Sequence, residues 1–221
     1  MFKSGFVNII GLPNAGKSSI INRLLDDKFS IVTSKAQTTR HRAHAIINGK
    51  NFQVVISDTP GFTIPKNKIH EYMNKKILSS FKDADIILFI VELGAENRRD
   101  NQLIEKIKKI KIPVLLVLNK VDKVNQDILE EESNFWYNEI ENIETWVVSA
   151  KENFNIENLK NRVIELLPQG PRYFPDDIWT DKNERFFANE IIREKIFNIY
   201  SQEIPYVSDV ITERFKIKNK V

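Results

Sequence analysis

The chain has 221 residues, 42% of them hydrophobic, and a formal net charge of +3. That length allows one ordinary domain plus a fragment, or two small domains, with enough apolar residues for a real core. The absence of cysteine excludes a disulfide framework and any Cys-based metal site, and three scattered histidines (His41, His44, His70) argue against a histidine metal centre.

The opening "MFKSGFVNII" lacks the long apolar stretch and small-residue cleavage site of a signal peptide. The longest apolar runs, "IILFIV" and "IPVLLVL", are far too short to cross a bilayer. A cytoplasmic protein is expected. Short continuous apolar runs, the mark of buried parallel strands, occur at 5–10, 52–57, 85–92, 113–118 and 144–149. Helical periodicity lies between them at 17–25, about 69–81, 99–110, 126–140 and 156–166. "AHAIIN" at 43–48 is joined to the following strand by "NGKN" and predicts an antiparallel hairpin. Residues 26–42 are polar and without period, so they read as a loop. The alternation predicts an α/β fold with a mostly parallel six-stranded sheet and helices on both faces.

At 168 the composition shifts. "PQGPRYFPDDIWTD" holds three prolines and a glycine, and predicts a linker over 168–180 between a domain at 1–167 and a second unit at 181–221. Within that unit, residues 187, 191, 192, 196, 199 and 200 form an apolar helical stripe, expected to be a buried face. "VSDVITERF" at 207–215 then alternates like a strand, and the basic end "RFKIKNKV" reads as a solvated tail.

Between the first strand and first helix stands "GLPNAGKS", residues 11–18, which fits G-x-x-x-x-G-K-[ST] without a gap. Glycines in such a loop let backbone N–H groups converge on a polyanion, and the helix N-terminus adds its positive dipole end. Gly11, Asn14, Ala15, Gly16, Lys17, Ser18 and Ser19 are therefore the candidate phosphate-binding set. Lys17 can reach β- and γ-phosphates, and the Ser18 hydroxyl can ligate Mg²⁺.

Asp58-Thr59-Pro60-Gly61 follows the strand "QVVIS". Asp58 at that strand end would hold Mg²⁺ through water, Thr59 would lie beside it, and Gly61 would offer its N–H to the γ-phosphate. Asn119-Lys120-Val121-Asp122 follows "VLLVL". A carboxylate at 122 can accept two hydrogen bonds from guanine N1–H and N2–H₂, a donor pair adenine lacks. The Lys120 stem could cover the ring. Ser149-Ala150-Lys151, after the last strand, can offer a backbone N–H to guanine O6. Each short motif read alone is an ordinary turn. Four in this order, each at the carboxyl end of a predicted strand, point jointly to a nucleotide site.

This is the pattern of the Ras-like P-loop GTPase superfamily. "KAQTTRHR", "DTPG", "NKVD" and "VSAK" together resemble the bacterial Era GTPase family, and "LPQGPRYFPDDIWTDKNERFFANEIIREKIF" is similar to that family's linker and the start of its RNA-binding KH domain. The resemblance implies a GTP-hydrolysing switch using GTP/GDP and Mg²⁺, acting on 16S rRNA and the 30S subunit, with peripheral association with the inner membrane in some members. It also implies a γ-phosphate-sensing threonine in the loop after the first helix. Thr39 is favoured, with Thr38 as the alternative. Lys17, Thr39 and Gly61 are then the candidate catalytic residues, and Ser18, Thr39 and Asp58 the candidate metal residues. Asn14 is either a turn former or, as in related GTPases that lack the catalytic glutamine, part of a K⁺ site.

Two departures qualify the expectation. Phe62 stands where Ras carries its water-orienting glutamine, so hydrolysis should be slow or use another device. No glycine follows Gly170, so the G-x-x-G loop of a KH domain is missing, and residues 181–221 read as an incomplete KH-type α+β fragment. The competing reading is a non-catalytic guanine-nucleotide-binding module acting through a partner. An ATPase or small-molecule kinase is disfavoured by Asp122.

Overall fold

Alternation of apolar side chains along the strands accounts for the layering. The computed structural model describes residues 1–33, 35, 38–40, 42–59, 61–62, 83–95, 100–202 and 204–215. Its strands are β1 (Lys3–Gly11), β2 (Ala43–Asn48), β3 (Phe52–Asp58), β4 (Ile86–Glu92), β5 (Val114–Asn119) and β6 (Glu144–Val147). They form one sheet in the order β2-β3-β1-β4-β5-β6. All neighbours run parallel except β2 and β3, which make the predicted antiparallel hairpin.

Val7 and Ile9 of β1 and Leu88 and Ile90 of β4 enter one core, with Ile20, Ile21 and Leu24 of helix α1 (Lys17–Leu25). Ile10, Phe89 and Leu116 enter the other, with Leu103, Ile104 and Ile107 of α2 (Asn101–Ile107) and Trp136 of α3 (Gln126–Glu139). Helix α4 (Ile156–Leu166) completes the first layer through Leu159 and Val163. Each such burial contributes about 1.5–3 kcal/mol, so the central strands are apolar on both faces. Helix starts follow local chemistry: Asp100 accepts from Leu103 N at 2.9 Å and Asn125 from Ile128 N at 3.0 Å. Asp100 thus caps α2, which starts one or two residues later than the period suggests. The predicted helix at 69–81 lies outside the described residues, as do Gln37, His41, Pro60 and His70.

Residues 168–180 lie against the sheet edge. Ile46 N donates to Trp179 O at 2.8 Å, and Asn48 Nδ2 donates to Asp176 O and Ile178 O at 3.1 and 2.9 Å. The Gln53 side chain accepts from the N–H groups of Tyr173 and Phe174 at 2.8 and 3.0 Å. This segment therefore satisfies the outer edge of β2, a position that otherwise invites strand pairing with another chain.

Two expectations about the C-terminal unit are corrected. Helix α5 (Glu184–Ile199) forms, started by Asn183 accepting from Phe186 N at 3.0 Å. Of its apolar stripe, Phe187 packs against Phe29 and Trp179, with ring centroids 5.9 and 5.0 Å away, but most of the rest is not buried. Ile191, Ile192, Ile199 and Tyr200 are 52, 49, 73 and 48% exposed, while Arg193, Glu194 and Phe197 are buried. The helix meets the polar loop between α1 and β2, so its charged side finds partners there. The expected strand at 207–215 is also absent. Residues 204–207 form the short helix α6 (Ile204–Val207), and no described residue after it is in a strand. The Arg40 guanidinium takes the carbonyls of Pro205, Tyr206 and Ser208 at 2.9, 2.8 and 2.8 Å, holding the short helix and the residue after it as a turn.

Candidate nucleotide-binding site

The site forms where β1, β3 and β5 end. Gly16 caps α1 at φ 94°, and a Cβ there would lie 2.1 Å from Asn119 Nδ2, so the loop closes on Asn119 only with glycine. Gly61 is needed for another reason: its Cβ would lie 2.9 Å from Pro13 N and 3.1 Å from Lys17 Nζ. The chain after β3 therefore passes directly over the phosphate loop. Two adjoining cavities follow, of about 610 and 540 Å³. The first lies between Asn119, Lys120, Asp122, Ala150 and Lys151; the second between Asn14, Lys17, Ser18, Thr39 and Gly61; Gly16, Ser19 and Lys120 line both.

Lys17 is buried, and its ammonium donates to Gly11 O and Leu12 O at 3.2 and 2.9 Å. Burial lowers it to about 8 against the pull of Asp58. Asp58, also buried, accepts from Ser30 Oγ at 2.6 Å, while Oδ1 has no hydrogen-bond partner among the described residues. Burial raises its carboxyl to about 6, opposed by the Ser30 hydrogen bond and the Lys17 charge. Both shifts report charges short of solvation, which a polyanion with a divalent cation would relieve.

Ser18 Oγ and Thr39 Oγ1 are 3.1 Å apart. Thr38 Oγ1 instead pairs with Thr33 Oγ1 at 2.7 Å and donates to Lys35 O at 2.8 Å. The structure thus brings Thr39, and not Thr38, against Ser18. The donor set of two hydroxyls and an orphaned carboxylate oxygen consists of hard oxygens, which fits Mg²⁺ with retained waters. Thr59 turns away: its hydroxyl donates to Ile9 O at 2.6 Å, leaving only its backbone toward the site. Phe62 is buried in the second core, with Lys106 Nζ 5.0 Å from its ring centroid. It cannot orient a water from there.

At the other end, Asn119 is a brace. Its Nδ2 donates to Ala15 O at 2.9 Å and its Oδ1 accepts from Ala150 N at 3.1 Å, tying phosphate loop to base loop. Lys120 Nζ donates to Asn14 O at 2.7 Å and pairs with Glu92 at 2.7 Å, laying its stem between the cavities. Ser149 Oγ donates to Asp122 Oδ1 at 2.6 Å, and Lys151 stands 4.0 Å from Oδ2.

Sequence reasoning missed two residues. Arg23, on α1, donates to Ala150 O and Lys151 O at 2.8 and 2.9 Å and holds the base loop. Ser30 holds Asp58 and is itself set by Asn22, whose Oδ1 accepts from Ser30 N at 2.7 Å. Neither position carries a local motif; a basic residue in a last helical turn and a serine in an aperiodic loop are ordinary.

A G-x-x-x-x-G-K-S loop tied through Asn119 to the last strand end, on a β2-β3-β1-β4-β5-β6 sheet, is the arrangement of a P-loop GTPase, and a family model described as 50S ribosome-binding GTPase matches residues 6–120. GTPase Era of Clostridium botulinum strain Langeland is 42% identical over 207 residues, covering 93% of this chain and 70% of the relative. GTPase Era of Alkaliphilus metalliredigens is 41% identical over 217 residues, covering 97 and 73%. Among solved structures, Era in complex with MgGDPNP and nucleotides 1506–1542 of 16S ribosomal RNA superposes with a TM-score of 0.84 at 35% identity, covering 93% of this chain and 70% of that one. A variant of Aquifex aeolicus Era bound to GDP.AlF4⁻ gives 0.82 at 34% identity, covering 92 and 70%. The chain belongs to the Era family of GTPases.

Proposed function

We propose that this GTPase binds GTP with Mg²⁺ across the two cavities and acts as a switch in assembly of the small ribosomal subunit. The observation that carries the site assignment is the approach of two hydroxyls, Ser18 and Thr39, to 3.1 Å, with the Ser18 hydroxyl also facing the Asp58 carboxylate. In this reading Lys17 holds the β- and γ-phosphates, Ser18 and Thr39 ligate Mg²⁺, Asp58 acts through water, and Gly61 donates its N–H to the γ-phosphate. Mg²⁺, when bound, would be held by Ser18 and Thr39 and would supply charge neutralisation at the transferring phosphate. Asp122 accepts from guanine N1–H and N2–H₂, the Ser149-Ala150-Lys151 backbone donates to O6, and the Lys120 stem covers the ring.

With Phe62 in the core and unable to orient water, hydrolysis calls on another device, and a cation that offsets developing charge, as an arginine finger does elsewhere, supplies one. We assign that role to K⁺ held beside Asn14, whose backbone sits at φ 65° in the phosphate loop. GTP hydrolysis by the unaltered protein should then rise several-fold in KCl over NaCl at equal ionic strength. Equal rates in the two salts remove the assignment.

The role in the small subunit rests on family membership and on the Era structure that holds a 16S rRNA fragment. We read residues 1–167 as the GTPase domain, 168–180 as its connection and 181–221 as the N-terminal part of a KH domain. No glycine follows Gly170, and residues 181–221 carry eight Lys/Arg against seven Asp/Glu, so little counterion-release affinity is expected. An rRNA 3′-end oligonucleotide should bind this chain far more weakly than a version extended by a complete KH domain. Equal affinity of the two would put the RNA site on the GTPase domain. No helix among the described residues is long and apolar enough to cross a membrane.

A further inference from the structure

The buried face of α5 is polar, and its polar groups converge on one segment. Glu194 pairs with Lys28 Nζ at 2.7 Å and accepts from Val32 N at 3.3 Å. Lys35 Nζ donates to the carbonyls of Phe197 and Tyr200 at the end of the same helix. Arg193 is only 2% exposed, and its Nη1 donates to Thr38 O at 2.6 Å. The loop that carries Thr39 is thus held from outside the sheet, by residues far away in the chain.

Arg193 is the informative member. A buried guanidinium without a counter-charge is strongly unfavourable. Glu190 supplies the charge through two N–H···O bonds, from Nε at 2.9 Å and Nη2 at 2.5 Å. That fork is rigid and planar, so the remaining N–H group is aimed rather than mobile. Its target is a peptide oxygen. The Thr38 carbonyl lies in the same plane as the Thr39 N–H and Cα, so fixing that oxygen fixes the origin of the Thr39 side chain. The Thr38 hydroxyl, bonded to Thr33 and Lys35, holds the other side of the same residue. Nothing in the GTPase core is needed to explain why an arginine is buried here. The guanidinium also lies over the Phe197 ring, its carbon 5.7 Å from the centroid, a contact that fixes its plane but not its direction toward Thr38.

We infer that Arg193 is a positioning residue for GTP hydrolysis: it sets the Thr38–Thr39 peptide so that the Thr39 hydroxyl stands beside Ser18. The inference rests on the reading of Thr39 as a metal ligand. Arg193→Lys keeps a charge for Glu190 but cannot make the three-way fork. In the full chain it should lower single-turnover GTP hydrolysis by about ten- to a hundredfold, the scale of a misplaced reacting group. The Mg²⁺ concentration for half-maximal rate should rise, while GDP affinity changes by less than about twofold, because GDP offers no γ-phosphate for Thr39 to sense. In a Thr39→Ala background the same substitution should have no further effect on hydrolysis. If Arg193→Lys does not fold, the paired change Glu190→Gln with Arg193→Gln removes both charges together and should give the same loss. Unchanged hydrolysis and Mg²⁺ requirement would overturn the inference, as would an equal fold-loss in the parent and the Thr39→Ala background, which marks a merely structural role. If Thr39→Ala alone changes neither rate nor Mg²⁺ requirement, the reading of Thr39 fails and takes this one with it. A loss from Thr39→Ala with none from Arg193→Lys sinks this one alone.

Discussion

Asp122→Asn is expected to weaken GDP and GTP binding by about a thousandfold and to turn the preference toward xanthine nucleotides. Sites built to hydrogen-bond a particular edge reject the wrong partner on that scale, because buried polar groups are left unpaired. The orientation of the new amide is already determined. Ser149 Oγ donates to Oδ1 of residue 122 at 2.6 Å, which an amide oxygen can still accept. The amide nitrogen is then turned to the position of Oδ2. From there it opposes the guanine donors but can donate to the xanthine 2-oxo group, which a carboxylate would repel. Calorimetric titration with GDP and XDP reads both effects. GDP affinity unchanged in the variant would refute the assignment of Asp122 to guanine.

Ser18→Ala should remove most of the Mg²⁺-dependent part of nucleotide affinity, at least about tenfold, since even groups behind the direct ligands commonly contribute that much. The Ser18 hydroxyl stands 3.1 Å from that of Thr39 and also faces the Asp58 carboxylate. Without it, the cation in the GDP state would keep only water-mediated Asp58 on the protein side. The measurement is GDP dissociation with and without chelator. The unaltered protein should release nucleotide much faster when Mg²⁺ is removed, and the variant should respond little. If chelation accelerates release equally in both, Ser18 does not hold the metal.

Much of this was legible in the chain itself. The apolar runs of β1, β3, β4 and β5 read as buried strands because a strand covered on both faces has no polar side to interrupt it. The phosphate loop was legible because its glycines answer to a local need, the positive φ of Gly11 and Gly16. The hairpin of β2 and β3 was visible in "NGKN" for the same reason. Asn119, Asp122 and Ser149 could be located because each directly follows a strand end, where an open α/β sheet gathers its ligands.

Neighbours within a few residues thus fix strand, turn, cap, and the order of site motifs along a sheet. Tertiary structure alone decided the rest. Whether Thr38 or Thr39 meets Ser18 depends on which carbonyl Arg193 holds, across 155 residues of chain. The apolar stripe of α5 predicted its own burial, yet the polar side is buried, because Lys28, Val32 and Thr38 offer it partners that periodicity cannot register. The expected strand at 207–215 failed for a related reason. A strand is completed by another strand, and here residues 204–207 close into a helix whose end Arg40 holds. Local pattern states what a segment could pair with; only the fold brings a particular partner within hydrogen-bond distance, where the cost of leaving a buried polar group unpaired makes the choice.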